Sequence, residues 1–247
     1  MSDTTGAGGA FRPAEAQRLD AFVDAAFAFA VSLLIIAGGE PLRSFDDLLE
    51  ALQRIPSFLA GFALIVLFWI AHRTWSALGP KRDGRATLLS LAVVFAVLVF
   101  VFPLRLLTET ALHFMSGGRL PGGGLVTSFG QLGWTYAIYG FGFSVLSILY
   151  VLLFRHARAS LQEDDPRRAA AASWARTWGL AAATGVVSGA VALTPVLPSA
   201  PWLPGVTYWV MPLGVWMFAL ADRRRARRMP PADPAAAAPL DGPASPV

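Results

Sequence analysis

Apolar residues in this chain gather into six blocks, with most of the charged residues lying between them. The blocks run over Ala21–Ala37, Ile55–Ala71, Ala86–Leu104, Phe129–Phe154, Trp174–Leu197 and Trp202–Ala221. They do not alternate polar and apolar positions as a half-buried strand does, and each has the length of a bilayer-crossing helix. At about 1.5 Å per residue they reach roughly 25–40 Å, against a hydrocarbon core of about 30 Å. The pattern predicts an all-α, polytopic membrane protein with six transmembrane helices.

Composition narrows this further. Of 247 residues, 55% are hydrophobic and only 15% charged, and the mean hydropathy is +0.54. A soluble domain carries about a quarter charged residues to wet its surface, so an ordinary soluble enzyme and a disordered chain are both excluded. Tryptophans 69, 75, 134, 174, 178, 202 and 209 fall near the block ends, where an interfacial belt would put them. The fourth block carries Gly130, Gly133, Gly140 and Gly142, and the fifth Gly185 and Gly189, spacings that let helices approach closely in lipid.

The basic residues form a topology code. Sixteen of the twenty lie before the first block, in the second-to-third and fourth-to-fifth connections, or after the sixth. Only Arg43, Arg54, Arg105 and Arg119 occupy the other three connections, the first of which is acidic (Glu40, Asp46, Asp47, Glu50). The positive-inside rule then places both termini in the cytoplasm and the protein in the cell inner or plasma membrane. The formal charge of +4 and pI near 10.1 therefore do not indicate nucleic acid. The run Arg223, Arg224, Arg225, Arg227 and Arg228 directly follows a span and reads as an anchor or a contact to anionic lipid.

The domain reading is residues 14–228 as one transmembrane unit, flanked by a disordered N-terminus (1–13) and a disordered Pro/Ala-rich tail (229–247). Span one exceeds a secretory-signal core and is followed by five more, so it is read as retained. The glycine-rich stretch 117–124 lacks the Lys-Ser/Thr ending of a phosphate-binding loop. There is no cysteine, and His72, His113 and His156 show no metal-ligand spacing. No cofactor, catalytic residue or tightly bound metal is expected.

The first span holds the informative residues. On a helical wheel Arg18, Phe22, Ala25, Phe29, Ser32 and Ile36 share a stripe within about 40° of one line, while Asp24 falls about 120° away. An ionisable group inside an apolar span is costly and needs a partner. The second span ends Trp69-x-x-His72-Arg73, so either His72 or Arg73 is a candidate to pair with Asp24; the alternative is that Asp24 snorkels to the nearby interface. Ser32 by itself reads as a serine bonding back to its own helix.

Arg18-x-x-x-Phe22-Val23-Asp24 at the start of span one, with Trp69-x-x-His72 closing span two, resembles the Arg-x-x-x-Phe-Ser-Asp and Trp-x-x-His signatures of the transmembrane protein 175 family. Its members are lysosomal potassium channels and their prokaryotic relatives. The resemblance is specific only in the first two spans. It implies a potassium-permeable homotetramer of six-helix subunits, with the first helix of each lining the pore. Phe29 and Ile36 would form the hydrophobic constriction, with potassium passing near the Ser32 hydroxyl. Arg18, Phe22, Asp24, Trp69, His72 and Arg73 would form the network holding helices one and two.

This sequence departs from the family pattern in three places. Val23 replaces a serine, Ser32 a threonine, and Phe29 a leucine or isoleucine, so that four rings would narrow or dewet a pore. There is no Thr-Val-Gly-Tyr-Gly filter, so potassium preference cannot come from a carbonyl cage. The competing readings are a non-conducting scaffold of the same fold and a small secondary transporter. The transporter is disfavoured because no matched pair of broken helices is present.

Overall fold

The computed structural model describes residues 13–36, 43–122, 124 and 126–228. The expectations for the N-terminal segment up to residue 12 and for the tail from 229 fall outside these residues, as does Glu40. Among the described residues the chain is wholly helical: α1 (Pro13–Ile36), α2 (Phe45–Gln53), α3 (Ile55–Ala77), α4 (Gly84–Met115), α5 (Phe129–Ser160), α6 (Arg167–Ala192), α7 (Leu203–Val206), a 3-10 turn (Thr207–Trp209) and α8 (Val210–Arg228).

Among the described residues, α1, α3, α4 and α5 are long and apolar enough to cross a membrane. The fifth and sixth expected spans correspond to α6 and α8. Both are helical, but α6 opens on Arg167 and Arg168 and is rich in alanine and glycine, and α8 ends in arginines. Length and apolarity alone therefore mark four helices rather than six.

One expected boundary moves past two stop signals, for identifiable reasons. The third span does not stop at Leu104: α4 runs through Pro103 to Met115. A membrane helix tolerates one missing N–H when its neighbours satisfy the freed carbonyl. Arg105 does not end it either, because its guanidinium meets Glu109 one turn on at 2.8 Å, while Arg54 approaches the same carboxylate at 3.5 Å.

The acidic first connection contains a helix the apolar blocks did not indicate. Ser44 Oγ accepts from the Asp47 N–H at 3.1 Å and Asp47 accepts from the Ser44 N–H at 2.8 Å, a reciprocal capping box that starts α2. The Arg43 N–H, then the Ser44 hydroxyl and N–H, hold the Asp47 carboxyl below the usual carboxylate range. Phe45, Leu48, Leu49 and Leu52 share one helical face and remain exposed, as suits a helix lying at an interface.

The helices pack as a series. α1 lies against α3 and α4, α4 against α5, α5 extensively against α6, and α6 against α7 and α8. Where α5 meets α6 the glycines bring the backbones together: a Cβ added to Gly140 would lie 2.5 Å from the Gly185 carbonyl oxygen, and one added to Gly133 would lie 2.6 Å from that of Ala192. Ser144 bridges the pair, its hydroxyl lying 2.7 Å from the Gly140 carbonyl and 2.9 Å from that of Ala182. The close-packing role read from the glycine spacing holds at Gly133, Gly140 and Gly185, while Gly142 faces the Phe100 ring and Gly130 meets no neighbouring helix.

The core is an aromatic cluster centred on Phe68. Its ring lies 5.6–6.3 Å from those of Trp178, Phe143, Tyr150 and Phe100, so α3, α4, α5 and α6 converge on one side chain. The Tyr150 hydroxyl donates to the Phe68 carbonyl, which satisfies a buried phenol that would otherwise be costly.

Candidate functional site: two faces of the first helix

Helix α1 has two apolar sides with different fates. Val23, Phe27, Ala30 and Leu34 recur at helical spacing and are buried in the common core. Gly61 makes room for this face, since a Cβ there would lie 3.1 Å from Leu34 Cδ2. The other side carries the stripe: Phe22, Phe29 and Ile36 are 53%, 55% and 69% exposed, with Ala25 and Ser32 exposed between them. The Ser32 hydroxyl donates to the Ala28 carbonyl at 3.2 Å. That spends its one proton within the helix and leaves its lone pairs outward, able to accept a cation.

Asp24 is exposed and accepts a hydrogen bond from Trp69 Nε1 at 2.8 Å. Trp69 in turn lies under the Arg73 guanidinium, 4.9 Å from its ring centroid. The partner of Asp24 is thus Trp69, and neither His72 nor Arg73 bonds to it directly. Helix geometry explains this. Trp69 and Arg73 are one turn apart on the α3 edge beside α1, whereas His72 belongs to the buried face with Phe68 and Trp75. His72, 2% exposed, lies 3.1 Å from Ser90 Oγ of α4 and 5.1 Å, ring to ring, from Trp75. Arg18 is exposed and makes no ion pair among the described residues. Of the expected network, the structure brings together Asp24, Trp69 and Arg73, but not Arg18 or His72.

Val23 also has a clear role. It is fully buried, about 100° around α1 from Asp24, and a hydroxyl there would enter the apolar core.

A second cluster at the same end of α1 was not expected. Asp20 Oδ2 accepts from Ser76 Oγ at 2.8 Å and from Arg82 Nη2 at 2.9 Å, and the Arg82 guanidinium lies 4.5 Å from the Trp75 ring centroid. The sequence pattern singles out nothing at Asp20, and Arg82 enters it only as one of the basic residues of the second-to-third connection. Their pairing across 62 positions has no local signal. Toward the other end of α1, Leu34 and Ile35 line a cavity of about 320 Å³ with Arg54, Arg105 and Glu109. A smaller cavity of about 250 Å³ lies between α1 and α3, lined by Asp24, Val31 and Trp69.

Residues 18–103 match the family model described as endosomal/lysosomal potassium channel TMEM175. The resemblance seen in the first two spans therefore holds over that stretch. A protein of Marivirga tractuosa named potassium channel is 32% identical over 99 residues, which are 40% of this chain and 40% of the relative. The chain thus aligns with less than half the length of that relative. Two solved structures share the fold. One, of a threonine-to-alanine variant of the potassium channel MtTMEM175 bound to a nanobody–MBP fusion, has a TM-score of 0.68 at 20% identity, covering 92% of this chain and 99% of that one. The other, of a lysosomal potassium-selective channel TMEM175 homolog from Chamaesiphon minutus, has a TM-score of 0.57 at 22% identity, covering 84% and 98%. The chain is a multi-pass membrane protein with an all-helical fold of this kind.

Proposed function

We propose, from the match over residues 18–103, that this protein is a potassium-permeable cation channel, a homotetramer whose pore is lined by α1 of each subunit. The observation that carries this is the stripe. A helix that buries one apolar side in its own subunit and leaves Phe22, Phe29 and Ile36 exposed on another, with the Ser32 hydroxyl between them, has a face free to line a pore shared with copies of itself. In this reading α1, α3, α4, α5, α6 and α8 are the six crossings, both termini are cytoplasmic, and the arginines at 223–228 contact anionic lipid of the cell membrane.

Phe29 and Ile36 form the constriction, about two turns apart. Phenyl rings at the narrowest level repel water, so the barrier to an ion is dehydration. Ser32 lies between the two layers and offers oxygen lone pairs, since its proton goes to Ala28. No chemical step occurs and no cofactor is held; the electrochemical gradient drives transport.

The test is potassium flux in vesicles containing the purified protein, under an imposed potential. Phe29→Ala removes four rings from the path and raises flux several-fold, while Ser32→Ala changes the ratio of potassium to sodium flux. Unchanged flux in Phe29→Ala, alongside loss of flux from substitutions elsewhere, would refute the assignment of the path to α1. Absence of flux in every form would leave a non-conducting scaffold, and saturable substrate-coupled uptake would indicate a transporter.

A further inference from the structure

The contacts at the cytoplasmic base of α1 are unequal. Asp24 meets a neutral indole donor at an exposed edge. Asp20, itself 33% exposed, meets a guanidinium that is only 10% exposed and a hydroxyl that is itself bonded to the same guanidinium. A charge-assisted, sheltered pair outweighs a single exposed hydrogen bond. Trp75, fully buried, supports the Arg82 guanidinium from one side and so fixes its direction.

The segment that delivers Arg82 is itself tied down. Gly79 takes a positive φ of 63° and reverses the chain after α3. The Leu78 carbonyl accepts from Arg167 of α6 at 3.2 Å, and the Lys81 N–H donates to Ser160 of α5 at 3.1 Å. Asp83 caps α4 through the Ala86 N–H and lies 3.1 Å from His156 Nε2 of α5. Residues 78–83 therefore form a strap anchored on α4, α5 and α6, and Arg82 is the point at which the strap grips α1.

Asp20 sits on the far side of α1 from the stripe, about 160° around the helix from Arg18 and Ile36. Ile36 is sixteen positions on, roughly 24 Å along the axis. A rocking of α1 by about 5° at its base would move that level by roughly 2 Å, comparable to the clearance of a hydrophobic constriction. We propose that Asp20, held by Arg82 and Ser76, is the positioning residue of the pore helix: it sets the angle of α1 and thereby the diameter and ion preference of the constriction. This rests on the channel reading for its effect on ions, but not for its effect on α1.

Two readouts separate the two. The chain has no cysteine, so a nitroxide on Ala21→Cys reports α1 mobility in the full-length reconstituted protein, and flux assays on unlabelled protein report the ratio of potassium to sodium permeation. Asp20→Asn should mobilise the label and lower the ratio severalfold. Asp20→Glu, which keeps the charge, should restore both. Arg82→Gln should reproduce Asp20→Asn, and the double variant should be no worse than either single one.

An unchanged label spectrum in Asp20→Asn would overturn the proposal, as would a mobile label with an unaltered ion ratio, which would make the contact merely structural. If the wild-type protein carries no flux, the channel reading fails while the label still decides whether Asp20 holds α1.

Discussion

The α5–α6 contact allows the effect of one atom to be worked out. Gly140→Ala places a Cβ 2.5 Å from the Gly185 carbonyl oxygen, 2.9 Å from the Gly189 nitrogen and 3.1 Å from its Cα. These are backbone atoms and cannot rotate away. Ordinary contact begins near 3.4 Å, so the shortfall is about 0.9 Å, and the helices must separate by a comparable amount. Separation lengthens the Ser144 bond to Ala182 and loosens Trp178 against Tyr150, now 4.8 Å between centroids. Overpacking of this kind costs about 1–3 kcal/mol, against a helix-propensity gain of up to about 1 kcal/mol for replacing glycine.

With the full propensity gain the net expectation is a loss of up to about 2 kcal/mol and a lower melting temperature in detergent, followed by tryptophan fluorescence. Gly179→Ala is the control. No atom lies within 4 Å of its added Cβ, so it should be neutral or stabilising. A Gly140→Ala protein that melts with or above the Gly179→Ala protein would refute the reasoning, because the close approach of the two backbones would then carry no cost.

Other expectations follow from single contacts. Trp69→Phe removes the donor to Asp24 and should destabilise by about 1 kcal/mol, the bond being exposed. Combined with Asp24→Ala, which removes the acceptor, in a double-mutant cycle, the two effects should fall short of additivity; strict additivity in thermal unfolding would mean the bond is not formed. On the channel reading proposed above, Asp24→Asn should lower the yield of folded tetramer on size exclusion more than it changes ion preference, because Asp24 lies off the stripe; normal assembly with altered preference would contradict this. The Asp83 carboxyl is held below its usual range, first by the Ala86 N–H and then by His156. A depressed carboxyl stabilises above its unfolded value near 3.8, and that stabilisation is lost as pH falls through the folded value. Acid unfolding of Asp83→Ala should therefore be flatter than wild type below about pH 4, with roughly 1 kcal/mol less stability at neutral pH from the lost cap. Parallel acid-unfolding curves would contradict this.

The stripe on α1 was legible because it is a local periodicity: residues three and four apart lie on one face whatever surrounds the helix. The glycines at 133, 140, 185 and 189 were legible for a similar reason, since small residues at helical spacing have few uses in lipid other than close approach. Helix α2 escaped notice because nine residues with two aspartates in the first turn resemble a charged loop. Its capping box appears only when Ser44 and Asp47 are read as a pair. The extent of α4 escaped because Pro103 and Arg105 are ordinary stop signals, and the Glu109 partner cancels the second of them.

What the order of residues settled here is everything that depends on neighbours along the chain: the apolar helices, the two-sidedness of α1, and the segregation of basic charge. What it left open is which polar group meets which. In sequence Asp24 had His72 and Arg73 as candidate partners, and the structure gives it neither. The choice of Trp69 follows from the rotation of α3, and that rotation is set by Phe68 packing into rings from α4, α5 and α6. Asp20 and Arg82 are each unremarkable in sequence. They become a pair only because residues 78–83 are pinned by α5 and α6. Local pattern decides which face a residue occupies, and only the packing of distant helices decides what that face touches.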